Sequence, residues 1–198
     1  MVVRLAERKA LAVRGAMPPD GSWAIIAADT DVVLGDRILG KPATPAEARD
    51  MLALLSGKEH RVLTGVALLA SRDGVVRMVS GISATRVRFA VLTDREMDWY
   101  VSTGEPLDKA GAYGVQGLGG MLVEIVDGSP DNVWGLPRRT LLDLIDRLEG
   151  EPEFAGVISS RLLWNRQGSP PQGGGDGRTG HDDLGNPHAP AAGIGTAL

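Results

Sequence analysis

Four short polar clusters interrupt an otherwise ordinary hydrophobic sequence: Asp29-Thr30, Gly40-Lys41-Pro42, residues 103–111 and residues 112–117. Asp29 follows the apolar run 23–28, which reads as a strand covered on both faces. It therefore stands where ligands gather in α/β sheets, beyond a strand's carboxyl end. A carboxylate there can accept a proton from water; the competing reading is that Asp29 only caps the next turn. Lys41, between a glycine and a proline, sits in a stiff loop and can hold a point charge against a phosphate. Lys9 is a second candidate cation, and for both the plain alternative is a surface lysine. Glu105, Asp108 and Lys109 place two carboxylates and a cation close together, a set suited to a metal ion or its water. An Asp108–Lys109 ion pair satisfied within itself is the alternative. Gln116 carries a donor and an acceptor on one amide and can pair with the N3–H and O4 edge of uracil or thymine; a turn glutamine bonded to backbone is its rival.

Other polar residues have blander readings. Asp31 shares a face with Asp29 only if the strand continues, and solvation is expected for it. His60 precedes a strand and packs or faces solvent. The glycines at 114, 117, 119 and 120 do not open a helix after a strand, so they fail the context of a dinucleotide fingerprint. His181 and His188 lie far down the chain without further ligands around them.

The elements that must position these residues are legible in part. Leu5, Ala6, Lys9, Ala10 and Val13 recur at helical spacing up to Gly15, which puts Lys9 on an early helix. After a turn at Gly35-Asp36, Thr44, Pro45 and Glu47 mark a helix start and Gly57 its end, with Ala48, Met51, Leu52 and Leu55 as the apolar stripe. Residues 62–70 and 75–79 flank Ser71-Arg72-Asp73-Gly74 as a hairpin, and 85–92 alternates as a further strand. Residues 94–101 read as a short helix, 102–120 as a loop, 121–126 as a strand and 137–149 as a helix closed by Gly150. Residues 1–150 form one domain on this reading. Residues 151–198 form a tail, and from 167 onward clustered Gly and Pro predict disorder.

Composition narrows the classes. The 198 residues are 43% hydrophobic, enough for one substantial core, and carry a formal charge of -4. That charge gives no broad cationic field for duplex nucleic acid or an anionic membrane. The absence of cysteine excludes disulfides and thiolate chemistry. The start of the chain lacks the apolar core of a secretory signal, and no apolar run reaches spanning length. A cytoplasmic location is the expectation.

Together with Leu55-Ser56-Gly57-Lys58-Glu59-His60 and Asn132-Val133-Trp134-Gly135-Leu136-Pro137, the order and spacing of the four clusters resemble the Maf-like family from about Leu5 through Leu148. The resemblance implies an elongated mixed sheet between helices, like that of inosine triphosphatases. It also implies divalent-metal-dependent hydrolysis, with magnesium or manganese, of a nucleoside triphosphate to the monophosphate and pyrophosphate. On it, Asp29 matches the proton acceptor, Lys41 and Lys9 match phosphate-facing lysines, and Thr30 and Gln116 match specificity positions of the branch that prefers dTTP and UTP. Glu105 and Asp108, with Asp29, are the metal candidates. Dimers are common in the family. Its members begin with a strand leading into Ser-x-Arg-Arg, and nothing of that kind precedes Leu5. The expectation is an N-terminally truncated chain without its first strand, with a non-catalytic nucleotide-binding or division-regulating protein as the alternative.

Overall fold

The computed structural model describes residues 1–158 and 195–197. The expected disordered tail lies outside the described residues, apart from Gly195–Ala197. Helix α1 (Val2–Arg14) leads into strands β1 (Trp23–Leu34) and β2 (Arg37–Leu39), helix α2 (Pro45–Leu55), and the long strands β3 (Glu59–Arg72) and β4 (Val75–Phe89). Helix α3 (Asp94–Ser102), three 3-10 turns, strand β5 (Val123–Asp127), and helices α4 (Pro130–Val133) and α5 (Arg138–Glu149) follow. The strands lie in the order β2-β1-β3-β4-β5, every neighbouring pair antiparallel. A short strand, β6 (Gly195–Ala197), pairs parallel with β1 and makes the sheet mixed. At ~3.3 Å per residue, the fourteen residues of β3 span roughly 46 Å, so the sheet is elongated.

Alternation along the strands splits the core. Ile25, Ala27, Ala67 and Leu69 face Ala6 and Ala10 of α1, while Val66, Leu68 and Ala70 face Leu144, Ile145 and Leu148 of α5. Phe154 and Ile158 add to the α5 side and are almost fully buried. A third cluster joins α2 and α3 to the far end of the sheet through Leu52, Leu55, Phe89 and Tyr100.

Several local expectations hold. Thr44 accepts from Glu47 N at 3.2 Å, and Glu47 reaches back to Ala43 N at 2.8 Å. Asp73 and Gly74 both take positive φ, 51° and 83°, as a tight hairpin between twisted strands requires.

Two strand boundaries differ from expectation. Strand β1 does not end at Ala28 but runs on to Leu34, because residues 29–31 keep their ladder with Leu63, Thr64 and Gly65 before the apolar run resumes at Val32. Asp29 is thus a mid-strand residue, not one beyond a strand's end. Residues 75–79 and 85–89 belong to one strand, β4, which stops at Phe89 rather than running on to Leu92, and whose polar middle lies under α5. At Gly81 there, a Cβ would come within 3.1 Å of Thr140. Among the described residues no helix is long and apolar enough to cross a membrane.

Candidate active site

A cavity of about 570 Å³ is lined by all seven sequence candidates, Lys9, Asp29, Thr30, Lys41, Glu105, Asp108 and Gln116, from five separate parts of the chain. Its size suits a small organic ligand.

Asp29 and Thr30 are successive strand residues, so their side chains leave opposite faces of β1. β6 pairs with β1 at Ile25–Ala27 and β2 pairs at Val32–Leu34, so residues 28–31 have no partner on that edge among the described residues. The cavity wraps around this open edge and reaches both side chains. On the α1 side, Lys9 Nζ donates to Ala28 O at 2.9 Å and pairs with Asp29 Oδ1 at 3.0 Å. Gly65, the cross-strand partner of Asp29, lets α1 lie this close: a Cβ there would meet the backbone of Val2 and Val3 at 2.5 Å. The strand's continuation also puts Asp31 on the face of Asp29. Burial, reinforced by the Asp29 charge, holds the Asp31 carboxyl above its ordinary pKa, so it is not simply solvated.

On the other face, Thr64 donates to Asn132 O at 2.9 Å, so in the 2.9 Å Thr30–Thr64 pair it is Thr30 that donates. Thr30 thereby keeps its lone pairs for an incoming N–H donor. Asn132 is fully buried and donates to Val62 O and Thr85 Oγ1, each at 3.0 Å. Asp131 and Arg138 tie the same turn to the start of α5. These bonds fix residues 130–135 against the sheet and hold Trp134, half exposed, at the cavity wall. The sequence flagged this motif but gave Trp134 no role.

Lys41 enters from a loop held by Gly111 N donating to Gly40 O at 3.0 Å. Gly111, at φ 69°, packs so tightly on Val32 that a Cβ would meet its side chain at 2.9 Å. Asp108 accepts Lys109 Nζ at 2.7 and 2.8 Å, which matches the self-satisfied pair; that bond holds its carboxyl below the usual range, with Lys41 contributing. Lys41 itself makes no close ion pair among the described residues. Glu105 does not stand free: Tyr100 and the amides of Leu118 and Gly119 all donate to it. Gln116 is exposed, and its amide has no partner among the described residues, unlike a turn glutamine bonded to backbone.

Tyr113, also on the wall, pairs with His60 at 2.7 Å. His60 packs rather than facing solvent, edge-on to Phe89 and Tyr113, and burial pushes its pKa down to about 4. Tyr113 belongs to the 112–117 cluster but had no role on sequence alone; the fold places it on the cavity wall.

Among the described residues, no three His, Asp or Glu side chains converge as a metal cage. Magnesium needs only one or two protein carboxylates and takes its other ligands from water and phosphate. Asp29, 18% exposed and on the cavity wall, is a carboxylate whose placement fits such a role.

The family model described as "Maf-like protein" matches residues 1–148. The chain belongs to the Maf-like family. This Maf-like chain is 47% identical over 176 residues to a protein of Anaeromyxobacter sp. (strain Fw109-5) named dTTP/UTP pyrophosphatase, covering 88% of this chain and 77% of that one. Proteins of the same name in Myxococcus xanthus (strain DK1622) and Halalkalibacterium halodurans are 48% and 53% identical. Those matches cover 74% and 69% of this Maf-like chain, and 70% and 68% of theirs. Residues 1–148, matched by the family model, contain every residue that lines the cavity.

Proposed function

We propose that this chain hydrolyses the α–β anhydride of dTTP- or UTP-type nucleotides, giving the nucleoside monophosphate and pyrophosphate. The observation that carries the proposal is the meeting in one cavity of Asp29, two lysines and a glutamine amide without a partner among the described residues. The names of the Maf-like relatives agree with it.

Asp29 accepts a proton from water as its oxygen bonds to phosphorus and the bridging oxygen leaves with pyrophosphate. Lys9, 3.0 Å from Asp29, orients that carboxylate and lies beside the phosphates. Lys41, which makes no close ion pair among the described residues, takes their charge. Lysine suits a mobile polyphosphate as a point charge. A divalent ion, when bound, neutralises charge developing on the phosphates, and Asp29 would hold it. Gln116 offers an amide donor to O4 and an acceptor to N3–H of the base, and Thr30, next to Asp29 on β1, adds an acceptor for a ligand donor. Trp134 supplies an aromatic wall.

Replacing Asp29 by Asn removes the proton acceptor and keeps the shape. We expect kcat to fall about 10²–10⁴-fold, the usual worth of a general base. Unchanged turnover in Asp29→Asn would exclude Asp29 from that role.

A further inference from the structure

One loop engages both carboxylate oxygens of Glu105. Its Oε1 accepts from Tyr100 Oη at 2.9 Å and from Gly119 N at 3.1 Å, and its Oε2 accepts from Leu118 N at 2.9 Å. Tyr100, fully buried, in turn accepts from Gly114 N at 3.1 Å. The loop closes on itself through Gly117 N to Gly114 O at 3.3 Å and Gly120 N to Gly117 O at 3.2 Å. The 118–119 end of this segment is therefore tied to the carboxylate directly and the Gly114 end through the Tyr100 hydroxyl, and exposed Gln116 stands between the tied ends.

The glycines make this approach possible. A Cβ at Gly117 would overlap the Glu105 carboxylate, and one at Gly119 would overlap the Tyr100 hydroxyl. Burial works to raise the Glu105 pKa, but the hydrogen bonds from Gly119, Leu118 and Tyr100, with the charge of Lys109, outweigh it and hold the carboxyl low. An ionised carboxylate makes hydrogen bonds roughly twice as strong as neutral ones. It has roughly four acceptor positions, and three are already filled, which leaves little for a metal.

Resting on the base-reading role given to Gln116 above, we propose that Glu105 is a positioning residue: it clamps residues 114–119 and so fixes where Gln116 meets the base. A glutamine at this position would turn a donor toward one of the loop amides and release one end of the loop, leaving Asp29, Lys9 and Lys41 untouched. Base selection is then lost before chemistry.

The test measures pyrophosphate release from UTP and ATP, at varied magnesium, by the full chain and its Glu105→Gln and Tyr100→Phe variants. For Glu105→Gln, the UTP KM should rise about tenfold and the UTP-over-ATP preference shrink to match. Its kcat should stay within about threefold, and half-saturation by magnesium should not move. Tyr100→Phe should shift the same way by less, and it decides the matter if Glu105→Gln does not melt cooperatively. A collapse of kcat together with a raised magnesium requirement would make Glu105 a metal ligand and overturn the clamp. Unchanged KM and preference in both variants would overturn it as well. If the unaltered chain releases no pyrophosphate, only the reaction reading fails. Calorimetric binding of UTP and ATP and amide exchange at Leu118 and Gly119 then decide: faster exchange with lost preference sustains the clamp, and no change in either removes it.

Discussion

Trp134 and His60 show how single side chains serve the site in different ways. Trp134 is a large aromatic residue left half exposed on a cavity wall, and stacking a base on such a ring is worth ~1–3 kcal/mol. Trp134→Ala should therefore raise the KM for UTP roughly tenfold with kcat nearly kept; an unchanged KM would remove the ring from base binding. His60 is buried behind Tyr113 with its Nδ1 unpartnered among the described residues. Its pKa is pushed down to about 4 by burial, whereas an unfolded histidine titrates near 6.5. Between those values the unfolded chain binds the extra proton, so stability present above about pH 6.5 is lost as the pH falls toward 4. The lowered pKa corresponds to roughly 3 kcal/mol across that window. Urea melts of His60→Gln should lack this slope, and an equal slope in both proteins would assign it elsewhere.

Among the elements, α1 and β1 set the Lys9–Asp29 side of the cavity through one close approach at Gly65. Gly65→Ala would push a methyl into the backbone of Val2 and Val3, and overpacking of this kind costs about 1–3 kcal/mol. Because α1 carries Lys9, the Lys9–Asp29 pair should loosen too. A lowered Tm together with a reduced kcat is expected, and a normal Tm would mean that α1 does not press on Gly65. Elements with strong local signals were legible: the caps of α2, the hairpin at Asp73-Gly74 and the stripe of α5 all follow from residue type. The extent of β1 was not, because Asp29-Thr30-Asp31 looks like a strand end until β3 is seen holding their backbone. The polar middle of β4 misled in the same way, since a covering helix cannot be read from the strand's own residues. Within the site, the residue types and order named the candidates, but only tertiary contacts separated Glu105, bound by a loop, from Asp29, open to the cavity.

For the whole molecule, an acidic chain concentrates three lysines, Lys9, Lys41 and Lys109, around one cavity. Two are matched by Asp29 and Asp108, and the third makes no close ion pair among the described residues. Local cations inside an acidic surface suit a small polyanion better than a nucleic-acid duplex, whose binding calls for many phosphate contacts. The fold brings Lys9, Lys41 and Asp29 into one cavity with Gln116 and Trp134. The most direct measurement is the product released when the full chain, with magnesium, meets a panel of nucleoside triphosphates. Pyrophosphate with the matching monophosphate, fastest from dTTP and UTP, is the expected result. Orthophosphate as the product, or equal rates for purine and pyrimidine nucleotides, would contradict it.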